Sequence, residues 1–289
     1  MENLEQGKKK QTRHFFVIVF LVAVAMLIVS SLLGEIIMSP LARNLDDGWV
    51  FLMEYASFIS FWIVVPAYCF FWDKELLPVF RPGRGNTLKN LLIGLGIGLG
   101  MNLTCALAAI AHGDIVIYYS QFDALYLIVG ILAVMIQSGG EELVTRGYML
   151  GATRERHGTV FAIAFNSLFF AAAHLMNPGV TALSIANIIL VGVLCSLLVV
   201  FYDSLWMPIG LHTAWNYCQS LLLGLPNSGI VSAKALCKLD AATDSFFYSA
   251  AFGLEGSAFA AILESACIAL VLYLNRDKLK KSEDLQPSS

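Results

Sequence analysis

The chain has 289 residues, of which 58% are hydrophobic and only 13% charged, with a mean hydropathy of +0.72. That composition excludes an ordinary soluble domain and fits a polytopic membrane protein. The net charge of -3, with lysines and arginines confined to short loops, excludes a basic face for nucleic acid.

In chain order, Lys8, Lys9, Lys10 and Arg13 precede an apolar run from Phe15 to about Met38. The run is too long for the core of a signal peptide and lacks a small-x-small cleavage site, so it reads as an uncleaved first span. Glu35 near its far end is expected at the interface, in a structural role, because burying it in lipid is costly. Further apolar runs follow at about 50–72, 88–111, 122–140 or beyond, 159–176, 181–202, 206–224 and 256–274. Each is near the ~20 residues needed to cross a bilayer. The expected fold is therefore all-α, a single integral membrane domain over 1–289 with about eight transmembrane helices.

The loop charges orient that bundle. Lys74, Arg81, Arg84 and Lys89 follow the second run, Arg146, Arg154 and Arg156 the fourth, and Arg276, Lys278, Lys280 and Lys281 the eighth. The connections on the other side carry only Arg43, then none after the third and fifth runs, then Lys234 and Lys238. By the positive-inside rule both termini are expected in the cytoplasm. The one long connection, about 225–255, is then extracytoplasmic, with Cys237 exposed.

Gly94, Gly96, Gly98 and Gly100 lie inside an apolar run and give overlapping small-xxx-small pairs, so they read as helix packing and not as a nucleotide loop. Pro66 is expected to kink the second span. The six cysteines show no CxxC spacing and fall largely in apolar runs, so they read as small core residues. No repeat at solenoid spacing occurs, and the polar C-terminal tail is the only low-complexity segment.

Charge is concentrated in one place, Gly139, Gly140, Glu141, Glu142, Leu143, Val144, Thr145, Arg146, Gly147, which follows the apolar run Leu125 to Ile136. An ionisable group at membrane depth is a functional candidate by default. On a helix, Glu142 and Arg146 are four apart and share a face in the favourable carboxylate-first order. Glu141 sits about 100° round and is left without that arginine. Desolvation of an unpaired carboxylate raises its pKa toward the range of a general base.

Other polar residues interrupt the later runs. Asn166, Phe170 and His174 stand at four-residue steps on one helix face, as do His212 and Asn216 on another. One such histidine alone is as readily interhelical glue as chemistry. Three helices that each turn polar groups inward carry a desolvation cost that packing does not explain.

Glu141, Glu142, xxx, Arg146, then Phe170, xxx, His174, then His212, xxx, Asn216, in order on successive apolar helices, resembles the CPBP family of intramembrane proteases. That family includes the type II CAAX prenyl endopeptidases and bacterial bacteriocin-processing and self-immunity proteins. The three motifs span about 125–225, within a protease core at about 120–225. Thr145 departs from the family pattern, which usually has a bulky apolar residue before the arginine.

The resemblance implies an intramembrane catalytic cavity and endoproteolysis of a membrane-associated or lipidated peptide. Glu141 would activate water, His174 would hold that water or the carboxylate, and His212 with Asn216 would stabilise the oxyanion. Glu142 and Arg146 would orient the site and Phe170 would pack beneath His174. Two mechanisms stay open: a metal-free one without a cofactor, or zinc ligated by Glu141, His174 and His212, a recognised donor set for which the HExxH helix is absent. Other classes also remain, a non-enzymatic immunity or scaffold protein and a proton-coupled transporter. Paired discontinuous helices, the mark of many transporters, are not evident. A bacterial cell membrane is the expected setting for a chain with such short loops.

One requirement follows from the heights of these residues. For Glu141 to meet His174 and His212, the fourth helix must continue past Glu142, to about Arg154.

Overall fold

The computed structural model describes residues 13–83 and 85–278. The basic flanks Lys8, Lys9, Lys10, Arg84, Lys280 and Lys281 and the polar C-terminal tail lie outside the described residues. The chain is mostly helical. Helix α1 runs Phe16–Ala42, α2 Asp47–Ala56, α3 Ile59–Trp72 and α4 Leu88–His112. Helix α5, Ala124–Glu142, passes through a π-helical turn, Leu143–Met149, into α6, Leu150–His157. The remaining helices are α7, Thr159–Ala173, α8, Ala182–Tyr202, α9, Trp206–Tyr217 with a π-helical extension Cys218–Leu222, and α10, Ala258–Leu274.

Side chains at the starts fix several of these boundaries by accepting from backbone N–H groups that have no partner within the helix. Asp46 accepts from Trp49, Thr87 from Asn90, Asp123 from Tyr126 and Ser257 from Ala260. Thr181 and Ser184 cap each other reciprocally at the start of α8.

Among the described residues five helices are long and apolar enough to cross a membrane: Phe16–Ala42, Asp47–Trp72, Leu88–His112, Ala124–His157 and Ala182–Tyr202. The other predicted runs are helical but shorter. The fifth and eighth fall on Thr159–Ala173 and Ala258–Leu274, and the seventh on α9 and its extension. The second long helix is interrupted between α2 and α3 at Ser57–Phe58, while Pro66 lies inside α3. At this break a Cβ on Gly34 of α1 would press on the Ser57 carbonyl oxygen, so α1 is seated against the interruption.

The expectation of an all-α chain needs one correction. Strands β1, Ile115–Tyr119, and β2, Cys237–Ala242, form a two-stranded antiparallel sheet. The run Ile115, Val116, Ile117, Tyr118, Tyr119 is β-branched and aromatic throughout, a composition that fits a pleated, half-covered surface. The sheet also corrects the expectation for Cys237, which pairs with Tyr119 and is half-buried instead of exposed. All six cysteines are free, and Cys69, Cys105, Cys195 and Cys218 are buried, as expected of small core residues.

Of the four alternating glycines, two make the packing contact. A Cβ on Gly94 or Gly98 would collide with the carbonyl oxygen of Met207 or Leu211 on α9, whereas Gly96 and Gly100 face open space. The backbones of α4 and α9 therefore approach as only small residues allow. This contact sets the position of α9, and with it His212.

Candidate active site

The fourth predicted span is a continuous 34-residue helical rod, Ala124–His157, so the helix does continue past Glu142. Glu141 precedes the turn at Gly158 by about as many residues as His174 follows it, so both stand roughly 25 Å from that turn at 1.5 Å rise per residue. Gly158 has φ +83°, in the region where glycine is at ease, and reverses the chain between α6 and α7. This hairpin brings a residue from the middle of one helix level with a residue at the end of the next.

The π-helical turn begins directly after the carboxylates, and single π turns inside α-helices occur frequently at functional sites. Thr145 Oγ1 donates to the Glu141 carbonyl at 2.7 Å and accepts from Arg146 Nη1 at 2.8 Å. The hydroxyl that departs from the family pattern thus ties the two charged residues together.

Glu142 and Arg146 are both buried, and Arg146 Nη1 donates to Glu142 Oε1 at 3.1 Å. Arg146 Nη2 donates to the Gly192 carbonyl at 3.1 Å, and the guanidinium lies 4.6 Å from the centre of the Phe170 ring. The same Glu142 Oε1 lies 3.1 Å from His212 Nδ1. A carboxylate accepts there, so Nδ1 carries a proton and Nε2 is the ring nitrogen turned toward Glu141. His212 Nε2 is 3.6 Å from Glu141 Oε2, which is buried and has no hydrogen-bond partner.

Glu141 Oε1 accepts from Gln137 Nε2 at 2.7 Å, and Gln137 Oε1 accepts from Asn216 Nδ2 at 3.3 Å. Gln137 therefore links Asn216 to Glu141. It stands one helical turn before Glu141 on the same face, a spacing that could have marked it in the sequence. His174 Nδ1 donates to the Phe170 carbonyl at 2.8 Å, which leaves Nε2 as the acceptor of the neutral ring. The Phe170 ring packs against both imidazoles, with centroids 4.8 Å from His174 and 5.9 Å from His212.

Glu141, Phe170, His174, His212 and Asn216 all line one cavity of about 460 Å³, with Glu142 and Arg146 buried behind its wall. Among the described residues no three His, Cys, Asp or Glu side chains are grouped to hold a metal ion.

Residues 123–218 match the family model described as type II CAAX prenyl endopeptidase Rce1-like. That segment is similar to the CAAX-protease family. Comparisons with curated proteins and with solved structures give no match. The matched segment contains Glu141, Glu142, Arg146, Phe170, His174, His212 and Asn216, and Gln137 as well.

Part of the lining of the cavity lies outside that segment. Glu54, Glu255 and Glu264 line it, and none of the three stood out in the sequence. Glu264 carried a signal all the same, being a lone carboxyl within the apolar run 256–274. Glu255 accepts from Ser228 N at 2.6 Å, Trp215 Nε1 at 3.2 Å and Gln219 Nε2 at 3.4 Å.

Burial pushes the Glu255 carboxyl up to about 7, against those hydrogen bonds and the attraction of His212. The folded protein then holds a proton that the unfolded chain releases above the ordinary value of 4.5. Its contribution to stability is complete below that value and is lost as pH rises through about 7. Thermal unfolding in detergent should thus move to lower temperature across this window, and Glu255→Gln should flatten the profile. An unchanged slope in the variant would assign the pH dependence to other groups.

Proposed function

We propose that this protein is an intramembrane endopeptidase that hydrolyses peptide bonds of membrane-associated or lipidated substrates, with Glu141 activating the water. The observation that carries the reading is the buried Oε2 of Glu141, without a hydrogen-bond partner and 3.6 Å from His212 Nε2 in a cavity that His174 and Asn216 also line. A carboxylate oxygen that the protein leaves unsatisfied inside a polar cavity is placed to receive a proton.

In the proposed reaction Glu141 Oε2 takes a proton from water as the water oxygen bonds to the scissile carbonyl carbon. His174 Nε2 accepts the other hydrogen bond of that water and fixes its approach. Negative charge moves to the carbonyl oxygen, where the second N–H of Asn216 and a protonated His212 Nε2 donate to it. Losing one oxyanion donor typically costs on the order of 2.7 to 4 kcal/mol of barrier. Glu141 then passes its proton to the amide nitrogen, the C–N bond breaks, and a carboxylic acid and an amine leave. Glu142 holds His212 by Nδ1, and Arg146 holds Glu142. These two position the site without touching the substrate.

The topology belongs to the same proposal. The five long helices, with α7, α9 and α10 as shorter crossings, make an eight-span bundle forming a single domain, with the protease core at about 120–225. Loop charges put both termini on the cytoplasmic side of the membrane, and the short loops suit a bacterial cell membrane.

The test is to incubate the purified protein in lipid nanodiscs with a quenched-fluorescent peptide library, with and without a strong chelator. Cleavage in both conditions is expected. No cleavage by intact, folded protein would favour a peptide-binding role, and cleavage abolished by chelator and restored by zinc would overturn the metal-free route.

A further inference from the structure

The cavity is lined by Glu54, Glu141, Glu255 and Glu264, and among the described residues no lysine or arginine lines it. Arg146 is buried behind the wall and paired with Glu142. His174, His212 and Tyr55 are the remaining titratable groups among the described residues of the lining.

The four carboxyls are not equivalent. Glu54 is exposed at the rim, Glu141 has Gln137 and His212 beside it, and Glu255 is held by Ser228, Trp215 and Gln219. Glu264, on α10, is different. It is 3% exposed and its Oε2 is buried without a hydrogen-bond partner. Carboxyls buried without a partner are costly, and in a membrane helix such a group usually faces a pathway or a ligand.

We propose that Glu264 is a specificity-determining residue that accepts a cationic group, the ammonium of lysine or the guanidinium of arginine, from a peptide in the cavity. The assignment rests on the endopeptidase reading for its substrate class. An acidic wall with an open carboxyl oxygen strengthens its pairing with a cation in a site partly closed to water. The same wall disfavours a second anion, so a free peptide carboxylate gains nothing from entering it. Glu264 and Glu255 both lie outside the matched residues 123–218, so this preference is set by the chain's own later region and not by the segment that carries the proposed chemistry.

The experiment measures binding, which separates this proposal from catalysis. Glu141→Gln protein in nanodiscs is titrated with fluorescent peptides, N-acetylated and C-amidated, that differ only in carrying lysine, arginine or norleucine at one scanned position. A norleucine peptide with a free amino terminus distinguishes a side-chain cation from a terminal amine. At one position the lysine or arginine peptide should bind at least about 10-fold more tightly than norleucine, and adding Glu264→Gln should abolish that difference while norleucine binding persists.

Norleucine binding reports that the variant is folded, and Glu264→Ala serves as a second variant. Discrimination that survives both substitutions, is absent from the parent, or follows only the free amino terminus would overturn the side-chain assignment. If wild-type protein cleaves nothing yet the charge discrimination holds, the proteolytic reading fails and the cation site stands. Cleavage without discrimination has the opposite meaning.

Discussion

Replacing Glu141 by Gln should lower kcat by about 10²- to 10⁴-fold, the range that positioned general acid–base catalysis supplies, with little change in folding. Gln fills the same volume, and its side-chain oxygen can still accept from Gln137 Nε2, which now bonds Glu141 Oε1 at 2.7 Å. What the variant loses is the basic oxygen. The amide nitrogen that replaces Oε2 would face His212 Nε2, now 3.6 Å away, as a donor that cannot take a proton from water. Substrate binding should persist, so the loss belongs in kcat more than in KM. Turnover within a few-fold of wild type would remove Glu141 from the role of base.

Arg146→Met should have the largest effect on stability. The guanidinium is fully buried and serves Glu142, Thr145 and the Gly192 carbonyl while lying over the Phe170 ring. Its removal leaves the Glu142 carboxylate buried with only His212 Nδ1 beside it. Breaking one side of a buried ion pair typically costs about 3 to 5 kcal/mol, because an uncompensated charge is left behind. The double variant Glu142→Gln with Arg146→Met should lose less than the two single losses combined, since it strands no charge. Unfolding in a denaturing detergent, compared across the four proteins, measures this. Additive losses would mean that the pair contributes no coupling. Arg146→Lys should rescue only partly, because an ammonium cannot reproduce the planar fork that reaches three acceptors on different sides.

Much of the site was legible because the membrane makes polar residues conspicuous. Glu141, Glu142, Arg146, His174, His212 and Asn216 each interrupt an apolar run, and four-residue spacing on a helix places partners on one face without further information. The Glu142 to Arg146 bond is such a local consequence. Gln137 and Glu264 carried similar signals, the first one turn from Glu141 and the second alone in an apolar run. Glu255 carried none, since a carboxylate in a long loop is ordinary until the loop folds back into the bundle.

The lengths of crossing were less legible. Hydropathy marks where a chain is apolar, but it does not separate a long membrane helix from a short one that ends at a site. Helix α7 stops at Ala173, where His174 turns its ring back onto the Phe170 carbonyl. The sheet joining β1 to β2 pairs residues more than a hundred positions apart, and no local pattern encodes that partner.

The sequence by itself determined that this is a membrane helical protein with polar groups interrupting three of its apolar helices, because each of those features depends on composition or on neighbours within one turn. Only the tertiary structure decided which oxygen of Glu141 is left open, which nitrogen of His212 faces it, and that Glu255 and Glu264 share its cavity. Those facts depend on how α5, α9, α10 and the long loop pack, and packing distances between segments remote in the chain are set by the whole fold.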